Sequence, residues 1–288
     1  MTRYGGIEAG GTKFVCAVGR GPHDIADRVR IPTTTPTETL AAVQDYFAAR
    51  DVAAVGIATF GPVETRTSHA GFGRITSTPK PGWEGADLLG ALQAVVDVPI
   101  AVDTDVNGAA LAESRWGAGV GCSTVLYVTV GTGLGGGAVV GGRTLGGLVH
   151  PEMGHVRVER LAGDRFEGVC PFHGDCLEGM ASGSALAVRW GRPAARLGAD
   201  TAAAVEIEAH YLAAGFHQFV YTLAPEVIVM GGGVSHLPGL HPETNRKLVE
   251  SMAGYAVQPE HRSGFVVAPG LGDDSGIAGA IALAQMAV

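Results

Sequence analysis

Cys170, His173 and Cys176 stand at Cys-x2-His-x2-Cys spacing within Cys170-Pro171-Phe172-His173-Gly174-Asp175-Cys176, three soft or borderline metal ligands in one short loop. A zinc ion takes four such ligands in a tetrahedron, so one further nitrogen or sulfur would close the site. In His150-Pro151-Glu152-Met153-Gly154-His155, His155 is the first candidate for that position and His150 its competitor. A cation with four protein ligands keeps no open position for a bound water, so such a zinc is structural. It would hold an irregular segment in place and, through His155, fix the neighbouring Glu152. The plain alternative is a cysteine-bearing loop with a histidine in it by chance.

Three glycine clusters follow stretches that read as strands. Gly10-Gly11-Thr12-Lys13 has the parts of a phosphate cradle: two glycines admit close backbone approach, and Thr12 and Lys13 add a hydroxyl and a positive charge. It lacks the Gly-x4-Gly-Lys-Ser/Thr order of a P-loop, and alone it could be a plain hairpin turn. Gly131-Thr132-Gly133-Leu134-Gly135-Gly136-Gly137 could offer backbone N–H groups to the other side of the same phosphate chain, or be a flexible turn or bulge. Gly231-Gly232-Gly233 ends a strand, at the carboxyl edge where open α/β sheets bind ligands.

Between the first two clusters lies Asp103-Thr104-Asp105-Val106-Asn107, an acidic turn entering a helix. A carboxylate fixed there can take the proton of an alcohol that attacks a phosphoryl group. Helix capping is the plainer role and the one read for Asp103; for Asp105 and Asn107 both readings stay open.

Periodicity gives the elements that must hold these groups. Apolar and glycine residues alternate through Ile7, and Phe14-Val15-Cys16-Ala17-Val18 follows, which predicts two antiparallel strands turning at residues 10–13. Leu40, Val43 and Phe47 predict a helix over 37–50, and 52–59 reads as a buried strand. A helix over 88–95, a strand at Ile100-Ala101-Val102 and a helix over 107–116 come next, the last with Asp105 and Asn107 as candidate caps. Residues 124–140 repeat the strand, glycine turn, strand character of the opening, which suggests internal duplication. A long apolar-striped helix over 201–223, a strand over 227–230 and a closing helix over 277–286 complete the chain, and 157–180 is its least regular segment. Cys16 and Cys122 read as buried thiols. Trp83 fits either packing or a sugar platform, with packing preferred, while His23, His210 and His217 have no partner pattern.

Composition bounds the partners. The 288 residues, 46% hydrophobic and 17% charged, can build a full core. A net charge of −8 argues against a broad grip on nucleic acid or an anionic membrane, so an anionic ligand must be caught locally. The sequence has neither a membrane-length apolar run nor a signal-peptide start, and the expected location is cytoplasmic.

Taken together, Gly6-Ile7-Glu8-Ala9-Gly10-Gly11-Thr12-Lys13, Asp105-Val106-Asn107, Gly131-Thr132-Gly133-Leu134-Gly135, Pro151-Glu152-Met153-Gly154-His155, the Cys/His loop with Leu177-Glu178-Gly179, and Gly231-Gly232-Gly233-Val234 resemble the ROK family of repressors, open reading frames and sugar kinases. With Thr78-Pro79-Lys80-Pro81-Gly82-Trp83, the set looks like its bacterial fructokinase branch. The resemblance implies an actin-like ATPase fold, α/β, with two ribonuclease-H-like domains flanking an active-site cleft: residues 1–116 completed by a C-terminal helix over 274–288, and 117–273 with the zinc loop.

It further implies an ATP- and Mg²⁺-dependent hexose kinase, with fructokinase favoured, transferring the γ-phosphoryl group to the 6-hydroxyl. Asp105 would be the general base, and Asn107, Glu152, His155 and Glu178 would bind the other sugar hydroxyls. Gly10, Gly11, Thr12 and Lys13 with Gly131, Thr132 and Gly133 would hold the phosphates, and Gly231, Gly232, Gly233 and Gly183 would lie near the nucleoside. His155, Cys170, His173 and Cys176 would bind the structural zinc, and the likeness favours a homodimer. Glu8 stands where many members have Asp, which leaves its magnesium role open. Glucose, mannose or N-acetylhexosamine kinases of the same family are alternatives. A sugar-responsive regulator would carry a DNA-binding extension of several tens of residues before a phosphate turn that here begins at residue 10. A catalytically silent sugar- or zinc-binding protein is disfavoured by the intact Asp105 and phosphate turns.

Overall fold

Tyr4–Ala9 (β1) and Lys13–Gly21 (β2) pair antiparallel across the first glycine turn, with Ile7 opposite Cys16 and Ala9 opposite Phe14. The computed structural model, which describes residues 2–288, adds Asp24–Pro32 (β3) beside β2. The sequence reading does not include β3, an edge strand in which Ile31 alone is buried and Ile25 and Val29 are half-buried. Pro36–Ala48 (α1) leads to the wholly buried Val55–Thr59 (β4), which lies parallel to β1. Leu88–Gln93 (α2) precedes Ile100–Thr104 (β5), parallel to β4, so the first sheet has the order β3-β2-β1-β4-β5.

Asp105–Trp116 (α3) then carries the chain to a second sheet built from Thr124–Val130 (β6), Leu134–Val140 (β7), Arg143–Thr144 (β8), Val227–Gly231 (β9) and Val266–Val267 (β10). Its order, β8-β7-β6-β9-β10, matches that of the first strand for strand, with the same antiparallel and parallel senses. The internal duplication therefore extends from the opening hairpin to a whole sheet. Leu177–Ala181 (α4), Gly183–Trp190 (α5), Thr201–Leu223 (α6), Leu240–Ser251 (α7) and Pro259–Arg262 (α8) accompany the second sheet. Ser275–Met286 (α9) returns to pack on β1, β4 and α3.

Three buried clusters hold this arrangement. One joins the second sheet to α6 through Leu126, Tyr211, Leu212 and Phe216, where truncating a fully buried Phe216 to Ala would cost about 3–5 kcal/mol. Another joins the first sheet to α1 and α2 around Phe14, Phe47 and Trp83. Trp83 is fully buried, donates its indole N–H to the Thr34 carbonyl at 3.0 Å and lies against Phe14 and Phe60, so packing is its role. The third cluster lies between the sheets and consists largely of alanines and valines from α3, α9, β2 and β6. Small residues are needed there because α3 and α9 cross closely: a Cβ on Gly279 would sit 2.2 Å from the backbone of Gly108. Cys16 is buried as expected, whereas Cys122 is only half-buried, since it lies in the turn before β6 rather than within a strand. Among the described residues no helix is long and apolar enough to cross a membrane.

Candidate active site

Thr104 ends β5 and caps α3, its Oγ1 accepting the N–H of Asn107 at 3.2 Å. Asp105 and Asn107, read as possible caps, are thus the first and third residues of the helix, and the correction follows from the extended backbone of Thr104. Asp105 lies at the positive end of the helix dipole. Its Oδ1 accepts the N–H of Val106 at 2.9 Å. Burial nevertheless pushes its carboxyl up to about 7, the Val106 N–H opposing this and the like charges of Glu8 and Glu152 adding to it. A group that changes protonation near neutral pH can receive a proton during turnover and release it afterwards.

Asp105 faces a cavity of about 360 Å³ between the two sheets. Glu8 and Lys13 line it from the first sheet, Tyr127 and Thr129 from β6, Gly231 and Gly232 from the end of β9, and residues 272–277 from the approach to α9. Arg28 and Arg30, two apart on β3, also reach it; the missed strand concealed them, and Arg28 Nη1 bonds Asp274 Oδ1 at 2.8 Å. Glu8 is likewise raised, by burial first, with Lys13 and Arg28 opposing. Two carboxylates lining one cavity, Glu8 and Asp105, are hard oxygen donors of the kind that suits Mg²⁺ brought in on a polyphosphate.

The two turns predicted to hold phosphate are fixed from behind. The N–H and Oγ1 of Thr33 bond the carbonyls of Thr12 and Gly10 at 3.0 and 2.8 Å, and Lys80 Nζ bonds the Gly11 carbonyl at 2.5 Å. In the second turn the N–H of Gly183 and the Ser184 Oγ, at the start of α5, bond the carbonyls of Gly131 and Thr132 at 2.7 and 2.8 Å. Gly183 thus supports the 131–133 turn, and a Cβ there would meet the Gly131 carbonyl at 2.6 Å. Gly232 adopts φ +87° and Gly233 begins a short 3-10 turn beside it.

The charge of Glu152 reaches Asp105, and those of His155 and Glu178 reach Glu152 in turn. Glu178 Oε2 accepts the N–H of Leu134 at 3.0 Å. Glu152 is raised by partial burial and by Glu178, with His150 and His155 opposing. His155 Nδ1 is 3.7 Å from both Cys170 Sγ and Cys176 Sγ, and His173 Nδ1 is 3.8 Å from Cys170 Sγ. All four ligand atoms lie within 4.8 Å of one another, and a tetrahedral zinc with ordinary bond lengths sets such edges at about 3.5–3.8 Å. The donor set fits the metal. His150, the competing ligand, is engaged elsewhere: its Nε2 accepts the N–H of Val63 at 3.2 Å.

Asn107 is held by three partners. It is 1% exposed, its Nδ2 donates to Asp103 Oδ1 at 2.8 Å and to the Leu145 carbonyl at 3.0 Å, and its Oδ1 accepts the N–H of Ala138 at 3.2 Å. The last two bonds brace β7 and the segment after β8. Asp103 is no cap either: its Oδ1 receives Asn107 and the N–H of Thr104.

The ROK family profile matches residues 4–287. A fructokinase of Pediococcus pentosaceus is 41% identical over 99% of this chain and 98% of its own length. A fructokinase of Zymomonas mobilis is 44% identical over 99% and 97%. The crystal structure of a ROK family glucokinase from Streptomyces griseus, in complex with glucose and AMPPNP, superposes with a TM-score of 0.77 at 27% identity, covering 99% of each chain.

Proposed function

The chain belongs to the ROK family, and from that premise we infer that it is an ATP-dependent sugar kinase, a fructokinase that forms fructose 6-phosphate. Its two sheets are the paired ribonuclease-H-like units of the actin-like ATPase fold. We divide them at the passages between the sheets, residues 1–116 with 274–288 and residues 117–273.

The observation that carries the mechanism is Asp105, at a helix start, inside a cavity that Lys13, Gly231 and Gly232 also line. Phosphoryl transfer asks little covalent chemistry of a protein; positioning and charge neutralisation supply the rate. Asp105 accepts the proton of the sugar hydroxyl as that oxygen attacks the γ-phosphorus. Lys13 and the backbone of residues 10–13 and 131–133 hold the phosphates, while Gly231, Gly232 and Gly233 leave room for the nucleoside. Bound Mg²⁺ would neutralise charge on the β- and γ-phosphate oxygens, with Glu8 and Asp105 the carboxylates placed to hold it or its waters.

Glu152, Glu178 and His155 orient the sugar. With Nδ1 of His155 toward the sulfurs, its Nε2 is the nitrogen left for a hydroxyl. Zinc on His155, Cys170, His173 and Cys176 has a structural role. The proposed assembly is a homodimer, checked by analytical ultracentrifugation.

The test is ADP release over a panel of hexoses, with product identified by its phosphate position. Fructose should give the highest kcat/KM and the 6-phosphate. A tenfold preference for glucose, mannose or an N-acetylhexosamine would overturn the substrate assignment, and nucleotide consumption independent of any hexose would overturn the kinase assignment.

A further inference from the structure

The chain passes between its two sheets twice, forward from α3 into β6 and back from β10 into α9. Glu113, near the end of α3, touches both passages. It is fully buried, at 0% exposure, and its carboxylate accepts four hydrogen bonds. Oε2 receives the N–H of Ala118, on the forward passage, at 2.7 Å and that of Gly270, on the return, at 2.9 Å. Oε1 receives the N–H of Leu271 at 3.1 Å and the hydroxyl of Ser275, the first residue of α9, at 2.7 Å. The passages lie directly on one another, since a Cβ on Gly270 would be 2.6 Å from the backbone nitrogen of Ala118.

Everything this carboxylate holds leads into the cavity. Asp105 begins the same helix, about two turns away. Gly272 to Gly276, immediately beyond Leu271, form part of the cavity wall. Hydrogen bonds to a charged acceptor are about twice as strong as neutral ones. Glutamine in the same place would offer one acceptor oxygen and turn an NH₂ toward N–H donors.

We propose that Glu113 is a positioning residue for phosphoryl transfer, a pin where both passages meet that keeps Asp105 and the 272–276 wall in register. Its effect on turnover rests on the kinase reading above; the pin itself does not.

The test uses Glu113→Gln and Ser275→Ala in the full-length protein, with steady-state kinetics and single-residue amide exchange with and without fructose plus Mg²⁺ and AMP-PNP. Glu113→Gln should lose tenfold or more in kcat and Ser275→Ala about threefold, with KM for the sugar within twofold of wild type. The amides of Ala118, Gly270 and Leu271 should exchange as one unit in wild type and lose protection together in either variant. A Glu113→Gln enzyme with unchanged kcat, or amides 118 and 270–271 that respond separately, overturns the proposal. If Glu113→Gln does not fold, wild type and Ser275→Ala decide it by the same criteria. If no hexose is phosphorylated, the kinase reading fails, and the exchange data still decide the pin.

Discussion

Asn107 Nδ2 donates to Asp103 Oδ1 at 2.8 Å, joining the end of β5 to the first turn of the helix that carries Asp105. Two further bonds tie the same amide to the Leu145 carbonyl and the Ala138 N–H. Asn107→Ala would leave buried partners unsatisfied, at about 1–3 kcal/mol for each group. The expected outcome is a markedly lower melting temperature and reduced kcat, with the sugar KM of the folded fraction within threefold of wild type. A selective rise in sugar KM at unchanged stability would instead support the sugar-binding role expected of Asn107.

Asp105→Asn should lower kcat by roughly 10²–10⁴-fold while leaving sugar binding near normal. Because the wild-type carboxyl titrates near 7, kcat/KM should fall on the acid side of about pH 7 as the base becomes protonated. The same shift sets a stability effect. The folded value lies above the ordinary 3.8, so the contribution of Asp105 to stability is present below that value and is lost as pH rises through about 7. Asp105→Asn should therefore melt above wild type at pH 8 and not at pH 4. Equal melting at both, measured by scanning calorimetry, would mean that the carboxylate is compensated in the free protein.

Much of this site was legible because its chemistry is local in sequence. The Cys-x2-His-x2-Cys loop with His155 and the glycine turns declare themselves by residue type, and the ligands of the first do converge. Arg28 and Arg30 were hidden because they are exposed residues of an edge strand in which Ile31 alone is buried. The packing of Asn107 was hidden for a different reason: two of its amide partners lie on β7 and after β8, more than thirty positions away. Glu113 gave no signal at all, since its four donors come from separate parts of the chain.

Metal removal should separate the two halves of the site. The 3.7–3.8 Å spacings around His155 and His173 fit one zinc per chain. Cys176→Ser should abolish the bound zinc measured by atomic emission and lower the melting temperature. Since His155 is the proposed fourth ligand and stands three residues from Glu152, the KM for fructose should rise tenfold or more, while AMP-PNP affinity stays within threefold. Stoichiometric zinc retained by Cys176→Ser would exclude this ligand set.

Glu208 supplies a test of stability remote from catalysis. It is fully buried in α6, and neither carboxylate oxygen has a hydrogen-bond partner among the described residues. Burial raises its pKa well above the ordinary carboxylate value, with only the charge of Arg189 opposing. A raised folded-state value means that the group favours folding below the ordinary 4.5 and loses that contribution as pH rises through its folded-state value. Removing an unpaired buried charge removes the desolvation penalty that the ionised form carries. Glu208→Gln should therefore melt several degrees above wild type at pH 8, with the difference shrinking toward pH 5. A variant that melts below wild type at pH 8 would instead place a charged Glu208 in a water-bridged pair with Arg189, whose Nε and Nη2 are likewise unpartnered.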